Sequence, residues 1–235
     1  MSKHLSAILT VWTSAEEQFE HQFNAWYSRE HVLERVDVPG FRTGTRYRAV
    51  EGTPTFLAIY ELDDAMIIAG DDYLHCLNHP TPDTLENMPR FRDVERGVFD
   101  VRARIGRGHG GAAYSLRFDL KDSAEAEVVR WFEGQLKVLL AELPKINSVQ
   151  YWTVNRKAIE ETSKRPALER RLRGDKDKIW DHAILMEGES LDNIREAVEQ
   201  TGIEDFIKDL SNETRATTYR LIATHLHDPN SGRDR

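Results

Sequence analysis

The chain has 235 residues, of which 40% are hydrophobic and 31% charged, a balance typical of a globular protein with a sizeable core. The formal net charge of −8 and the pI of about 5.6 argue against nucleic acid or an anionic membrane surface as the main partner. The single cysteine, Cys76, excludes an internal disulfide and any metal cluster built on cysteines.

The N-terminal stretch MSKHLSAILTVW predicts a first strand rather than a targeting segment. It carries one lysine and a short apolar run, but no small-residue cleavage site of the signal-peptide type. No apolar run in the sequence approaches the ~18 residues that a membrane span needs. We therefore expect a cytoplasmic protein without a membrane partner.

The first half of the chain, 1–105, predicts the order β-α-β-β-α-β. Ser14 is a suitable N-cap for the first helix, Glu17 stands at the capping-box position, and Pro39-Gly40 ends that helix. Apolar periodicity then gives a strand over 5–13, a helix over 15–35, strands over 41–50 and 55–62, a helix over 63–78, a polar and partly helical excursion over 84–96, and a strand over 98–105.

The second half, 112–235, repeats this order after a Gly-rich linker at 106–111. Trp131 and Phe132 stand where the first half has Trp26 and Tyr27. A charged insertion at 155–178 predicts a surface helix or a loop. The remaining predicted elements are a strand over 112–120, a helix over 122–140, a strand over 143–152, a strand over 180–187, a helix over 191–200 and a strand over 215–227.

Two tandem β-α-β-β-α-β units predict an α+β fold made of two ferredoxin-like halves. Helices cover one face of each antiparallel sheet, so the other face needs a partner. Two sheets that face each other would form a barrel, and we expect a small-molecule cavity between them.

The stretch FNAWYSREHVLERVDVPGF (23–41), followed by RYRAVEGTPTFLAIYEL (46–62), resembles the dimeric α/β-barrel superfamily, and within it the EthD-like branch. The resemblance covers about 5–105 well and 112–227 in outline. The superfamily includes muconolactone-type isomerases, cofactor-free quinone-forming monooxygenases, aromatic-polyketide decarboxylases and haem-binding proteins. The resemblance therefore implies the fold strongly and the reaction weakly.

His31 is the candidate for proton transfer, because a neutral imidazole can take or give a proton near pH 7. The resemblance implies that the matching histidine points into the cavity. The second half has WFEGQLKVLL where the first has WYSREHVLER, so it lacks equivalents of Glu30 and His31. This difference predicts that the chain has one active cavity and that it lies in the first half. Glu30 would either orient another catalytic group or be a solvated helix residue.

Strand 41–50 leaves two alternatives open for binding an anionic group. Arg46 and Arg48 lie on one face and Tyr47 on the other, so only one face can line the cavity. Arginines would bind a carboxylate in a bidentate manner, whereas Tyr47 would act as a catalytic hydrogen-bond donor. The other predicted substrate-binding residues are Trp12, Trp26, Tyr27 and His75.

Histidine spacing provides no metal or haem motif. His75 and His79 lie four residues apart, but no third ligand is adjacent, so we predict no metal site. Three histidines are haem-ligand candidates only by analogy with the haem-binding relatives: His182, His225 and His227. We predict no cofactor.

Together these features predict a cofactor-independent lyase, a decarboxylase of a small aromatic or keto carboxylic acid, with His31 as proton donor or acceptor. The alternatives are a muconolactone-type isomerase, a cofactor-free or haem-linked oxygenase, and a non-catalytic small-ligand-binding barrel. We expect a homodimer.

Overall fold

The computed structural model describes residues 7–174 and 177–228, and its strands form one closed antiparallel barrel. The strands are β1 Ala7–Ala15, β2 Phe41–Glu51, β3 Phe56–Leu62, β4 Phe91–Gly106, β5 Ala112–Leu120, β6 Ile146–Val154, β7 His182–Gly188 and β8 Ser211–Leu226. Their hydrogen-bonded order is β1-β3-β2-β8-β5-β7-β6-β4, which closes on itself. The predicted α+β fold is confirmed.

Each half contributes a four-stranded sheet with ferredoxin-like order, β4-β1-β3-β2 in the first and β6-β7-β5-β8 in the second. The sheets join where β2 pairs with β8 and β4 pairs with β6. The two strands that end their own halves, β4 and β8, have 16 residues each, and this extra length lets them pair with the opposite half. Both sheet edges are thereby satisfied within one chain.

The helices lie outside the barrel, and the two halves share an uncommon feature. A π-helical segment interrupts the first long helix of each half, at Tyr27–His31 and at Phe132–Leu136. The α-helices are α1 Glu20–Trp26, α2 Val32–Val36, α3 Asp71–Asn78, α4 Pro82–Asn87, α5 Glu125–Trp131, α6 Lys137–Ala141, α7 Arg156–Ser163, α8 Leu168–Arg173, α9 Leu191–Thr201 and α10 Ile203–Leu210. Such π segments occur frequently at functional sites.

Strand alternation separates a helix-facing core from the barrel interior. Leu9 and Tyr60 pack against the helices, whereas their neighbours Ile8 and Ile59 point inward. The interior core consists of Ile8, Trp12, Tyr47, Leu57, Ile59, Phe99, Ala113, Trp152, Ala183, Leu185 and Tyr219. The prediction of a ligand cavity between the two sheets is therefore wrong, because large side chains fill that space.

The predicted capping of the first helix is also wrong. β1 continues to Ala15, which pairs with Phe91, so Ser14 remains in the strand. The Ser14 hydroxyl accepts a hydrogen bond from the backbone N–H of Thr55 at 3.2 Å instead of capping a helix. The helix begins through a 3₁₀ turn at Glu17–Phe19 that has no side-chain cap. Residues 5 and 6 of the predicted strand lie outside the described residues.

The charged insertion forms two helices, α7 and α8, and both pack on the first half although the sequence places them in the second. The α8 backbone N–H of Leu168 donates to Asn78 Oδ1 at 2.9 Å, and the α7 hydroxyl of Thr162 donates to the Ile68 carbonyl at 3.4 Å. Residues 175–176 of this insertion lie outside the described ranges. Among the residues that are described, no helix has the length and apolar character to cross a membrane.

Candidate active site

A cavity lies between the first-half helices and the outer face of their sheet, under the insertion helix α8. Its empty volume is about 360 Å³, which includes the solvent at its mouth. The room inside it is about 30 Å³, so an aromatic ligand has to displace lining side chains on entry. It is lined by the apolar residues Leu9, Val11, Leu77, Met88 and Phe91 and by the polar residues Tyr27, His31, Arg35, Tyr60, Tyr73, Arg96, Glu169 and Arg173.

His31 ends the π segment and is buried in this wall. Its ring lies 4.5 Å from the Trp26 ring and 4.7 Å from the Tyr27 ring, between centroids. Its Nδ1 lies 3.4 Å from Arg35 Nη2 and 3.7 Å from Glu34 Oε2. Because a guanidinium can only donate, the shorter contact makes Nδ1 an acceptor and places the ring proton on Nε2.

The charge state of His31 follows from its surroundings. Burial, and then the positive charges of Arg35, Arg46 and Arg173, hold the pKa of His31 well below its ordinary value. The imidazole is therefore neutral at pH 7 and presents an N–H donor. A neutral histidine of lowered pKa can polarise a substrate carbonyl in this way.

Two tyrosines add hydroxyl groups to the same wall. The Tyr60 hydroxyl donates to the Tyr27 hydroxyl at 3.3 Å, and burial raises the pKa of both. Both phenols consequently stay protonated. Arg46 stacks on the Tyr27 ring with 4.2 Å between the guanidinium carbon and the ring centroid, and burial lowers its pKa to about 10.

Arg35 connects the histidine to the insertion. Its guanidinium forms a buried ion pair with Glu169 Oε2 of α8 and donates to Cys76 Sγ at 2.7 Å, besides its contact with His31. Burial raises the pKa of the Cys76 thiol. One arginine thus fixes a carboxylate and an imidazole on the same side of the cavity.

Arg173 and Arg96 give the cavity an excess of positive charge. Arg173 pairs with Asp177, and its Nε has no hydrogen-bond partner among the described residues. Arg96 Nη2 donates to the Tyr73 hydroxyl at 3.4 Å. The arrangement suits a ligand that carries or develops negative charge.

The structure separates the predicted site residues into three places. His31 and Tyr27 line the cavity, and Trp26 and Arg46 contact them directly. Three others lie elsewhere on the helical side: Glu30 accepts hydrogen bonds from Thr81 and Thr84, Arg48 forms an exposed pair with Glu20, and His75 is an exposed residue stacked on His79.

Tyr47 and Trp12 point into the barrel, on the opposite face of the sheet from His31. Tyr47 donates to Glu187, and Trp12 Nε1 donates to Ser115 Oγ at 3.1 Å. Neither can contact a ligand that touches His31, because successive strand residues face opposite sides. Arg46 faces the helical side, where it stacks on Tyr27 without lining the cavity, and Tyr47 faces the barrel interior.

Several cavity residues were not predicted. Arg35 follows His31 by four residues on one helix, and this spacing could have indicated it. Tyr60 lies among apolar residues on β3, and such a position is equally typical of an ordinary core residue. Glu169 and Arg173 belong to the insertion, which packs on the first half through contacts that no local pattern indicates.

The second half has no equivalent constellation among its described residues. Leu136 occupies the end of its π segment, where the first half has His31, and Phe132 replaces Tyr27. Both are fully buried in an apolar cluster. The difference in sequence between the two halves is thus a difference between a polar cavity and a packed core.

The buried neutral histidine implies an acid sensitivity of the fold. The pKa of His31 is lower in the folded chain than its unfolded value of about 6.5, so the unfolded state binds more protons between these two values. Above about pH 6.5 the group contributes nothing. We expect the free energy of unfolding to fall as the pH drops below about 6.5, by up to about 1.4 kcal/mol per pH unit from this group.

Urea denaturation of the wild type and His31→Gln across this pH range measures that contribution, because other titrating groups are common to both proteins. The wild type should lose more stability on acidification than the variant. Parallel curves for the two proteins would contradict the assignment.

Solved structures of similar fold include an anthrone oxidase-like protein, with 11% identity, a TM-score of 0.63, and coverage of 97% of this chain and 96% of that one. A proposed monooxygenase from Fusobacterium nucleatum has 12% identity, a TM-score of 0.58 and coverage of 95% of each chain. A heme-binding protein from Thermus thermophilus has 8% identity, a TM-score of 0.54 and coverage of 93% of this chain and 91% of that one.

At these identities the likeness shows the fold. Together with the strand order, it confirms the ferredoxin-like barrel architecture, and the EthD-like branch stays a prediction. No protein-family model and no curated protein sequence matches the chain.

The cavity residues do not fit a haem. Since Nδ1 of His31 accepts from Arg35, its Nε2 carries the ring proton and offers no lone pair to an iron, and Glu169 and Arg173 of α8 line the small space that remains. The other haem-ligand candidates do not converge on a common site: His182 contacts Tyr151, His227 contacts the Val36 carbonyl, and His225 lies on β8. Within the described ranges, no three or more His, Cys, Asp or Glu side chains are arranged to hold a metal ion.

Proposed function

We propose that the chain is a cofactor-independent oxygenase that forms the enolate of a small aromatic carbonyl compound and exposes it to O₂. The observation that carries this proposal is the buried, neutral His31, whose Nδ1 accepts from Arg35 and whose Nε2–H has no hydrogen-bond partner among the described residues. Preorganised donors of this kind stabilise charge that develops on an oxygen during reaction.

Further donors support the same role for the cavity. The Tyr27 hydroxyl accepts from Tyr60, so its own proton is available to a ligand. The guanidinium of Arg173 supplies positive charge on the same wall. The walls are otherwise apolar, and hydrogen bonds to a developing oxyanion are stronger in such surroundings than in water.

The proposed reaction converts a methylene group next to an aromatic carbonyl system into a second carbonyl. Loss of one methylene proton gives the enolate, which donates electrons to O₂. One oxygen atom enters the product as C=O, and the other leaves as water with the two methylene hydrogens. The names of the anthrone oxidase-like protein and of the proposed monooxygenase favour this chemistry over the predicted decarboxylation.

Two rival reactions pass through a similar enolate. An isomerase would return the proton to another carbon, and a decarboxylase would lose CO₂ instead of a proton. The decarboxylase prediction relied on His31 as an acid that protonates a carbanion. A neutral imidazole of lowered pKa is a poor acid, which weakens that interpretation. The homodimer and the cytoplasmic location stay predictions.

The test uses anthrone, the compound class in the name of the first similar structure. We expect the protein to accelerate exchange of the anthrone methylene hydrogens in D₂O without O₂, measured by NMR. In air it should consume one O₂ per anthrone and yield anthraquinone without CO₂. Heat-denatured protein gives the background rate.

Exchange without oxygen consumption would favour the isomerase. If neither rate exceeded the background for anthrone, 1,8-dihydroxyanthrone or 1-tetralone, the oxygenase proposal would be contradicted.

A further inference from the structure

The insertion helix α8 brings a buried carboxylate to the cavity. Glu169 lies on its first turn, is 2% exposed and lines the cavity opposite the sheet. Its Oε2 forms the ion pair with Arg35. Its Oε1 is buried and has no hydrogen-bond partner among the described residues.

A buried carboxylate oxygen without a donor is uncommon, because burial removes the water that would otherwise solvate it. Arg35 holds the side chain by the other oxygen, so the unpartnered atom keeps a fixed position. An acceptor held in this way inside a ligand cavity can take a hydrogen bond or a proton from a ligand.

The other cavity groups are poor proton acceptors. His31 Nδ1 faces a guanidinium, and burial raises the pKa of Tyr27 and Tyr60, so neither phenol ionises near neutral pH. Arg35, Arg96 and Arg173 can only donate. Glu169 is the one carboxylate in the described lining of the cavity.

We infer that Glu169 is the general base that removes the substrate proton, while His31 holds the oxygen on which the charge develops. This inference rests on the proposed enolate chemistry and assigns its base. In the step, the substrate C–H bond breaks and an O–H bond forms on Glu169 Oε1. The C–H electron pair moves into the π system and places negative charge on the carbonyl oxygen, which accepts from His31 Nε2–H.

Arg35 acts as a positioning residue for both partners. The same guanidinium contacts Glu169 Oε2 and His31 Nδ1, so the base and the oxyanion donor are fixed relative to each other. The insertion therefore completes the site: the first half supplies the donor, and α8 supplies the base. Such positioning accounts for a large part of the rate advantage in general base catalysis.

The experiment compares Glu169→Gln, Glu169→Asp and Glu169→Ala, with Glu161→Gln as the matched control on the exposed face of α7. The measured quantity is anthrone methylene exchange in D₂O without O₂. We expect Glu169→Gln to lose roughly 10²- to 10⁴-fold in exchange rate, the usual share of a general base. The control should match the wild type.

Formate added to Glu169→Ala fits the space of the missing carboxylate and should restore exchange at least about tenfold, with a response that saturates. A merely structural carboxylate would not give this rescue. Glu169→Asp keeps the charge pair with Arg35, so it remains folded if the uncharged variants do not. Its shorter side chain should lower exchange by about tenfold or more.

Exchange within about threefold of wild type in folded Glu169→Gln or Glu169→Asp would overturn the assignment, as would the absence of formate rescue in folded Glu169→Ala. Failure of the oxygenase proposal has another signature: wild-type exchange would proceed without oxygen consumption. In that case the base assignment would still hold, for an isomerase.

Discussion

Replacing His31 with alanine is expected to lower anthrone turnover by about 10²- to 10³-fold, the usual loss when one donor is removed from an oxyanion site. The reason is the tautomer: Nδ1 accepts from Arg35 at 3.4 Å, so Nε2 carries the proton that a substrate oxygen would receive. Alanine removes this donor and leaves an apolar gap. The oxygen-consumption rate with saturating anthrone measures the loss.

His31→Gln separates the donor role from a proton-carrying role. The glutamine amide retains an N–H group but cannot take a proton near neutral pH, so we expect it to keep a larger share of activity than alanine. His21→Ala is the matched control, because His21 is an exposed residue of α1. It should retain wild-type turnover.

Equal and severe losses of turnover in His31→Ala and His31→Gln would show that His31 takes up and releases a proton and does not act only as a hydrogen-bond donor. Full activity in folded His31→Ala would mean that the cavity does not contain the reaction site. Because the pKa of His31 is well below its ordinary value, wild-type turnover should show no inflection from this group near about pH 6.5.

The architecture was predictable because a repeated β-α-β-β-α-β order is typical of two ferredoxin-like units. Strand periodicity indicated all eight strands, although β4 was predicted to begin at residue 98 and begins at Phe91. The error has a physical cause. Glu95 and Arg96 make this stretch look like a polar loop, whereas Glu95 is buried inside the barrel.

The candidate site was predictable only where it is local in sequence. His31, Tyr27 and Trp26 lie on one helix, and the helical pattern places them together. The location of the cavity was not predictable, because alternation cannot tell which sheet face is filled by its own side chains. Trp12 and Tyr47 fill the barrel, so the free space lies on the helical side.

A second large effect is expected for the stability of the barrel. Glu95 is 2% exposed, and its Oε2 accepts from Arg117 Nη1 at 2.8 Å and from Trp180 Nε1 at 2.7 Å. Its Oε1 accepts from Arg215. Glu95→Ala would leave the fully buried Arg117 without its anion. Breaking a buried pair in this way costs about 3–5 kcal/mol, and we expect that loss in the free energy of unfolding.

Urea denaturation measures the loss, with Glu213→Ala as the control. Glu213 also pairs with a cation, Lys178, but on the exposed surface, where such a pair contributes about 0–1 kcal/mol. The double variant Glu95→Leu/Arg117→Met removes both buried charges and should be more stable than Glu95→Ala alone.

If Glu95→Ala cost no more than Glu213→Ala, the buried charge cluster would not be what stabilises this part of the barrel. Recovery in the double variant but not in Glu95→Leu alone, which fills the same space and leaves Arg117 charged, would show that the cost comes from the unpaired arginine and not from a cavity.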